Sequence, residues 1–318
     1  MGDRKDYGPS CPHLIFAKVQ LRLQAVACSP RRVVPGRIIM VERLSRPLVA
    51  LVLAFGIWAC SDDDEPTITG PDFPVQQGEV FKVRALDFPS VDGVQVNAWV
   101  GENNNEEATT PQPVVILVHD FTLDNQEWVQ TPHYVEMLRR GYFVVAIDMR
   151  GHGGTALPDD RQVLELQDLE ETYLDVEAAL LWLRQQPQAD LNRVAVVGTG
   201  VGGNVSFVSK GAFSQRIKTA VVLSPGLWVG DESLPVVVGS GLEDFTPQSV
   251  LYMVGSEDVI PLNDGSSLSF PLFAQTLAEG TSEPKDLVVV NQSTAHGIAL
   301  LDDPAAAATF FRWLDDHL

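Results

Sequence analysis

The stretch that decides the fold is RVAVVGTGVGGN, which occupies residues 193–204. Its first half is rich in valine, a β-branched residue that favours strands. Its second half holds Gly198, Gly200, Gly202 and Gly203, and clustered glycines favour a sharp turn because they tolerate backbone angles closed to other residues. Residues compatible with a helix follow. The stretch therefore predicts a strand, a tight turn and a helix.

Two unrelated kinds of site are built on such a turn. The dinucleotide-binding fingerprint has the form G-x-G-x-x-G, and Gly198, Gly200 and Gly203 match it. The nucleophile elbow has the form G-x-S-x-G and presents a catalytic serine. Gly198 and Gly202 match this second pattern, but Gly200 stands where the serine belongs.

The dinucleotide interpretation makes a demand that the sequence does not meet. Such a site needs an acidic residue at the end of the next strand, where it binds the ribose hydroxyls. The next predicted strand ends in Ser224 and Pro225 instead. The turn also follows two earlier strand–helix units, whereas this fingerprint usually opens its fold. We therefore predict no dinucleotide site and no other cofactor.

Strands and helices alternate along the rest of the chain. Predicted strands span residues 80–88, 94–100, 113–119, 142–147, 193–197, 220–223, 249–254 and 287–290. Predicted helices span residues 131–140, 166–185, 268–278 and 304–318, with one more from the glycine turn to residue 213. This alternation indicates a mostly parallel sheet with helices on both faces. We predict one doubly wound α/β domain over residues 77–318.

The charge of this body excludes several classes of partner. The chain has 318 residues, 45% of them apolar, and a net charge of −20. Residues 1–60 carry nine Lys or Arg and three Asp or Glu, whereas the remainder carries 13 and 39. So acidic a body argues against nucleic acid and against electrostatic binding to anionic lipid. Its lack of cysteine excludes a disulfide framework and a thiolate metal site, and we predict no bound metal.

The N-terminal region resembles a bacterial lipoprotein signal. Residues 48–59 form an apolar run of the length found in secretory signals, too short to cross a membrane comfortably. Arg43 and Arg46 precede it, and it ends in the small residue Ala59 before Cys60. Cys60 is therefore the predicted site of lipidation.

This resemblance divides the N-terminal region into three predicted parts. Residues 1–39 are an upstream extension without a fold, residues 40–60 are the signal peptide and residues 61–76 are a flexible tether. The protein is then expected at the bacterial cell envelope, with its membrane contact made by the lipid. The choice of inner or outer membrane and the oligomeric state stay open.

Several ordered segments of the body resemble the α/β-hydrolase family, in its dienelactone-hydrolase-like branch. They are LVHDFTLDNQEW (residues 117–128), GYFVVAIDMRGHGGT (141–155), DVEAALLWLRQQ (175–186) and AVVLSPGLWVG (220–230). The first looks like the strand-end His-Gly motif of that family, and the second like its D-x-R-G-H-G loop. The resemblance implies the α/β-hydrolase fold and, where the site is active, hydrolysis of esters or related carbonyl compounds.

The resemblance also implies an acid and a histidine downstream of the elbow. The family carries the acid after a later strand and the histidine after the last strand. Asp258 in GSEDVIP and His296 in STAHGIAL stand at these places, with Glu257 as the alternative acid. In such a pair the carboxylate fixes the imidazole tautomer, so that the other ring nitrogen faces the reaction centre.

The oxyanion hole of this family uses two backbone N–H groups. By resemblance they belong to Phe121 and Val201, although Asp120 replaces the usual glycine and its carboxylate would oppose negative charge there. Four further polar residues are predicted to be structural: His119, Asp148, Arg150 and His152.

Gly200 leaves the predicted site without a nucleophile. Three hydroxyl residues are nearby in the sequence, but Thr199 should point away, Ser206 lies more than a turn into the helix, and Ser224 ends the next strand. If the rest of the pocket is intact, we expect Gly200→Ser to gain ester hydrolysis.

Three hypotheses about function follow. The first, which we favour, is a degenerate hydrolase retained for a binding or structural role. The second is an enzyme that uses His296 and Asp258 as a general base without a covalent intermediate. The third is an active esterase with a displaced nucleophile. Each allows a small-molecule ligand or substrate, and the short segment 223–247 predicts little or no cap and an open pocket.

Overall fold

The computed structural model describes residues 81–104, 111–226, 247–263 and 265–318. The predicted extension, signal peptide, lipidated Cys60 and tether lie outside these described residues. Most of the segment 223–247, from which little or no cap was predicted, lies outside them as well. In the described part of the chain, no helix is both long enough and apolar enough to cross a membrane.

The described residues form ten strands in two sheets. They are β1 (Phe81–Pro89), β2 (Gln95–Asn103), β3 (Gln112–Val118), β4 (Phe143–Ile147), β5 (Ala189–Thr199), β6 (Thr219–Leu223), β7 (Gln248–Gly255), β8 (Val259–Pro261), β9 (Ser267–Ser269) and β10 (Ser282–Val290). The main sheet has eight strands in the order β1-β2-β4-β3-β5-β6-β7-β10, and β8 pairs with β9. Of the strand pairs that the structure describes in the main sheet, β1–β2 and β2–β4 are antiparallel and the others are parallel. The predicted mostly parallel, doubly wound sheet is confirmed.

Seven α-helices accompany the strands in the described ranges. They are α1 (Gln126–Val129), α2 (Pro132–Arg139), α3 (Leu166–Glu170), α4 (Tyr173–Leu183), α5 (Gly200–Ala212), α6 (Phe270–Glu279) and α7 (Pro304–His317). The predicted helices correspond to α2, α5, α6, α7 and the pair α3 and α4. The short α1 and the β8–β9 hairpin were not predicted.

The single helix predicted over residues 166–185 is wrong, because the structure divides it into α3 and α4. At the junction the hydroxyl of Thr172 donates to the carbonyl of Leu169 at 2.6 Å. The N–H of Asp175 donates to the carbonyl of Thr172 at 3.0 Å, three residues back rather than four. A threonine that bonds to its own backbone competes with the regular helical ladder, which explains the break.

The central strands are buried on both sides of the sheet. Every residue of β4 and β6 is buried, as expected of parallel strands covered by two layers of helices. Along β3, Ile116 belongs to the apolar cluster that includes Val205 of α5. Its neighbour Leu117 belongs to the opposite cluster, with Phe310 of α7. This alternation places α5 on one face of the sheet and α7 on the other. The helices therefore cover the faces, and the loops at the strand ends can form a site.

One buried cation holds the loop after β4. The guanidinium of Arg150 is fully buried and lies 2.8 Å from a carboxylate oxygen of Asp175, which is equally buried. Two partly exposed carboxylates complete the set, Asp92 at 2.7 Å and Glu171 at 3.2 Å. A buried charge is tolerated only when it is paired. The three carboxylates compensate the charge of Arg150, and in this way the cluster stabilises the fold.

Removing the buried partner of Arg150 should destabilise the protein more than removing an exposed one. We expect Asp175→Ala to lower the free energy of unfolding by about 3–5 kcal/mol, because it leaves a buried charge undercompensated. Asp92→Ala, whose carboxylate is 27% exposed, should cost about 1 kcal/mol or less. Urea unfolding followed by circular dichroism measures both, and equal losses would contradict this interpretation.

Candidate active site

The glycine turn joins β5 directly to α5. Gly200 has a φ of +49°, in the left-handed region that favours glycine. A Cβ added to Gly202 would lie 2.2 Å from the carbonyl oxygen of His119, and one added to Gly198 would lie 2.1 Å from the carbonyl oxygen of Gly202. Close backbone approach therefore requires glycine at both positions, within the turn at Gly198 and against the end of β3 at Gly202.

The space beside Gly200 is filled by the carboxylate of Asp120, which comes from the loop after β3. A Cβ added to Gly200 would lie 1.9 Å from Asp120 Oδ1 and 2.5 Å from Oδ2. The side chain of Asp120 is 20% exposed, so it also reaches solvent. The position expected for a serine side chain is thus occupied by a carboxylate from the neighbouring strand.

The same carboxylate occupies the predicted oxyanion hole. The N–H of Phe121 donates to Asp120 Oδ1 at 2.6 Å, and the N–H of Val201 donates to the same oxygen at 2.9 Å. The two donors that the family resemblance indicated therefore converge on one point. That point is already taken by an anionic oxygen of the protein.

His296 lies between two carboxylates. Its Nδ1 is 2.9 Å from Oδ2 and 3.1 Å from Oδ1 of Asp258. Its Nε2 is 3.3 Å from Oδ2 of Asp120. The side chain of Asp258 is 4% exposed, whereas the alternative acid, Glu257, is an exposed residue. The structure thus places Asp258, rather than Glu257, beside the imidazole.

This arrangement favours the charged form of His296. Burial by itself would lower the pKa of the imidazole. Hydrogen bonds and charge–charge attraction from Asp120 and Asp258 outweigh burial and raise the pKa to about 9. At neutral pH the site therefore holds an imidazolium between two carboxylates, and both ring nitrogens donate.

Two further residues hold the backbone of Asp120. Oε2 of Glu127 accepts hydrogen bonds from the N–H of Asp120 at 2.7 Å and from the hydroxyl of Thr199 at 2.8 Å. Burial raises the pKa of Glu127 to about 6. Nδ1 of His119 donates to the carbonyl of Asp120 at 2.7 Å, and its Nε2 accepts from the N–H of Met149 at 3.0 Å. Burial lowers the pKa of His119 to about 4, so this ring is neutral.

The three candidate hydroxyls are engaged elsewhere. The hydroxyl of Thr199 donates to Glu127, and that of Ser206 donates to the carbonyl of Gly202 at 2.9 Å. The hydroxyl of Ser224 donates to Oδ2 of Asp258 at 2.8 Å and accepts from the N–H of Gly297 at 3.0 Å. Ser224 therefore supports the acid of the site and does not occupy the elbow.

The other residues predicted to be structural also make hydrogen bonds away from the elbow. The carboxylate of Asp148 accepts from the N–H groups of Asn125 and Gly154, both at 2.6 Å. Nδ1 of His152 lies 3.1 Å from the carbonyl of Arg150. Within the described ranges, no group of three or more His, Cys, Asp and Glu is arranged to hold a metal ion.

The sequence predicted a carboxylate of Asp120 near the oxyanion hole, opposing negative charge there. It did not predict that this carboxylate fills the space beside Gly200 or that it lies 3.3 Å from His296. Taken together, the two departures from the motifs indicate a replaced nucleophile, because Gly200 lacks a side chain and Asp120 supplies one in the same space.

Known proteins are similar to this chain over most of its body. Residues 109–266 match a family described as serine aminopeptidase, S33. An esterase from Pyrococcus furiosus matches with a TM-score of 0.54 and 17% identity, covering 74% of this chain and 93% of the esterase. An acetyl xylan esterase from Paenibacillus sp. R4 matches with a TM-score of 0.57 and 17% identity, covering 78% and 87%. A hypothetical protein from Pseudomonas aeruginosa gives 0.57 and 14%, covering 77% and 96%. No curated protein sequence matches the chain.

These matches and the sheet topology define the class of the protein. The chain is a protein of the α/β-hydrolase fold, so the predicted fold is confirmed. Within that fold, its residues 109–266 are similar to the serine aminopeptidase family.

The charged cluster should make stability depend on pH. Because the pKa of His296 is raised from 6.5 to about 9 on folding, its contribution to stability is full below about pH 6.5 and is lost as the pH rises through about 9. Asp120→Asn removes one of the two carboxylates and should bring the imidazole pKa down and flatten this dependence. NMR titration of His296 and urea unfolding at several pH values measure both effects. A wild-type midpoint near 6.5 would contradict the charge assignment.

Proposed function

We propose that the protein is a degenerate hydrolase of the bacterial cell envelope, which lacks serine-type acyl transfer and binds a small molecule at its former catalytic site. The observation that carries this proposal is the place of Asp120. Its carboxylate fills the space of the nucleophile and accepts both N–H groups of the oxyanion hole.

The carboxylate of Asp120 excludes two features that acyl transfer requires. The reaction needs a nucleophile at the elbow and an empty pair of donors for the oxygen of the tetrahedral intermediate. Loss of a single such donor costs about 2.7–4 kcal/mol in the transition state of a well-studied protease. Here both donors are bonded to a resident anion, which would also repel the charge that develops.

The same geometry gives less support to the two alternatives, which are general-base catalysis without a covalent intermediate and an esterase with a displaced nucleophile. A general base must have a free lone pair, but both ring nitrogens of His296 face carboxylates and its raised pKa favours the protonated form. A displaced serine would have to be Ser224 or Ser206, whose hydroxyls are committed to Asp258 and to the backbone.

Ester hydrolysis tests the proposal. We expect wild type and Gly200→Ser to show negligible turnover of p-nitrophenyl acetate. The single variant stays inactive because its new side chain meets the carboxylate of Asp120, which corrects the expectation that Gly200→Ser alone would gain activity. Combining Gly200→Ser with Asp120→Gly should raise turnover by at least about 100-fold, since a serine then has His296 as its base and an open oxyanion hole.

Two controls make this comparison decisive. Asp120→Gly alone opens the hole without supplying a nucleophile, so it should stay inactive. A serine-directed fluorophosphonate should label the double variant but not wild type. Wild-type turnover that disappears in Ser224→Ala would overturn the proposal.

The envelope location rests on the sequence before the described body, and Cys60 is its testable residue. After expression of the full chain in a bacterium, we expect wild type in the membrane fraction with a diacylglyceryl group on Cys60, detected by mass spectrometry. Cys60→Ala should move the protein out of that fraction, and Cys28→Ala serves as the matched control. Unchanged membrane partition of Cys60→Ala would contradict lipid anchoring.

A further inference from the structure

Strand β10 lies at one end of the main sheet. Among the strands that the structure describes, it pairs with β7 alone, in parallel. Its second half is the apolar run LVVV at residues 287–290, and none of these four residues is fully buried. Val289 is 41% exposed. An apolar strand at the edge of a sheet is a template for pairing with another chain, so such an edge usually carries some protection.

A backbone hydrogen bond shows which residues of β10 face away from β7. The carbonyl of Val290 accepts from the N–H of Ser256, which directly follows β7, at 2.9 Å. Val290 therefore turns its backbone groups toward β7. Successive residues of a strand turn these groups to opposite sides, so Leu287 and Val289 turn theirs to the side away from β7. Lys285 shares their direction. We call this side the outer edge of β10.

Two acidic side chains cover part of the outer edge. Oδ1 of Asp286 accepts from the N–H of Leu287 at 2.8 Å, and Oε2 of Glu283 accepts from the N–H of Lys285 at 3.1 Å. Both N–H groups are donors that the carbonyls of an added strand would need. Both acidic residues are exposed, so their charges stay in water. An ionised carboxylate is an acceptor only, so it satisfies these donors and offers none to an added strand.

We infer that the outer edge of β10 is a pairing surface for a second copy of this chain, and that Glu283 and Asp286 block it. The wild-type protein is then a monomer that pairs through β10 once the two carboxylates are removed. This property is separate from the proposed function, because the elbow and its carboxylates take no part in it.

The outer edge is complementary to itself. When two copies of β10 are related by a two-fold axis at Val288, the strands run antiparallel and Leu287 of each copy lies opposite Val289 of the other. Both residues of this pair face the outer edge, so they can exchange two hydrogen bonds from N–H to carbonyl. The pair is also apolar on both sides, which stabilises adjoining strands.

The same register keeps like charges apart. Lys285 lies opposite Asn291 of the other copy, and Asp286 lies opposite Val290. Directly opposed like charges would destabilise a strand pair, and this register contains none within the paired residues. The obstacle is the carboxylate of Asp286, which must leave the N–H of Leu287 before that group can bond to the other copy. The obstacle at Lys285 is the equivalent bond to Glu283.

Removing both carboxylates tests this inference. The edge variant combines Glu283→Ala with Asp286→Ala, and so frees the two N–H groups that these side chains now bind. We expect the full-length wild type, purified in detergent, to sediment as a monomer and the edge variant as a dimer of twice the protein mass. Sedimentation velocity in about 0.15 M salt measures this, because the Debye length of about 8 Å then screens long-range repulsion between the acidic bodies.

Two matched variants separate the opened edge from the change in net charge. Asp302→Ala combined with Asp316→Ala removes two charges from exposed positions outside β10, so it should remain a monomer. Val289→Lys added to the edge variant should restore the monomer, because it places a charge in the apolar centre of the paired strands.

Oxidative cross-linking locates the two-fold axis. Opposed residues that share no hydrogen bonds in an antiparallel pair have Cα atoms about 4.5 Å apart, a separation that suits a disulfide. Val288→Cys in the edge variant should therefore give a covalent dimer, and in the wild-type background it should give much less. Val259→Cys, at an exposed position of β8, is the control for random collision, and each background without the new cysteine is the control for the native ones.

The inference is overturned by a wild type that is already a dimer, or by an edge variant that is folded by circular dichroism and stays monomeric. Dimerisation of the variant at Asp302 and Asp316 would overturn it as well, because loss of charge alone would then be sufficient. Equal cross-linking of Val288→Cys in both backgrounds would exclude a blocking role for Glu283 and Asp286.

Discussion

The organisation of the site depends on one oxygen atom, Oδ1 of Asp120, and the two N–H groups that it accepts. Hydrogen bonds to an ionised oxygen are roughly twice as strong as neutral ones, and these two are 2.6 and 2.9 Å long. The bond from Phe121 lies within the loop after β3, and the bond from Val201 ties that loop to the first turn of α5. By fixing one carboxylate oxygen they also fix the other, and so determine which group Nε2 of His296 meets.

The two departures from the hydrolase pattern, at Gly200 and Asp120, leave the filled volume of the site similar but change its charge. Gly200 lacks the side chain of a nucleophile, and Asp120 introduces one into the same space. The carboxylate brings a negative charge where a serine would bring none, and His296 responds by retaining a proton. The neutral hydroxyl–imidazole pair of a serine enzyme is thereby replaced by an ion pair.

Much of this could be predicted from the sequence. The α/β-hydrolase fold is confirmed, and the structure brings His296, Asp258 and the two oxyanion-hole donors together at the glycine turn. The role of Asp120 could not be predicted from motifs, because it depends on sheet register. Val118 pairs with Gly198 across β3 and β5, so residues two positions further along each strand meet. The break between α3 and α4 was not predicted because an apolar pattern of helical period does not report the local hydrogen bonds of a threonine.

The first turn of α5 gives the carboxylate of Asp120 a second, structural role. Thr199 stands at the N-cap but makes no capping bond with its side chain, and its hydroxyl donates to Glu127 instead. The N–H of Val201 is satisfied by Asp120 instead, so this carboxylate caps a helix that begins 80 residues later in the chain. A lost cap costs about 1 kcal/mol. A serine introduced at Gly200 meets the carboxylate of Asp120, and removal of that carboxylate takes away the bond to the N–H of Val201. Either change made alone therefore disturbs the turn.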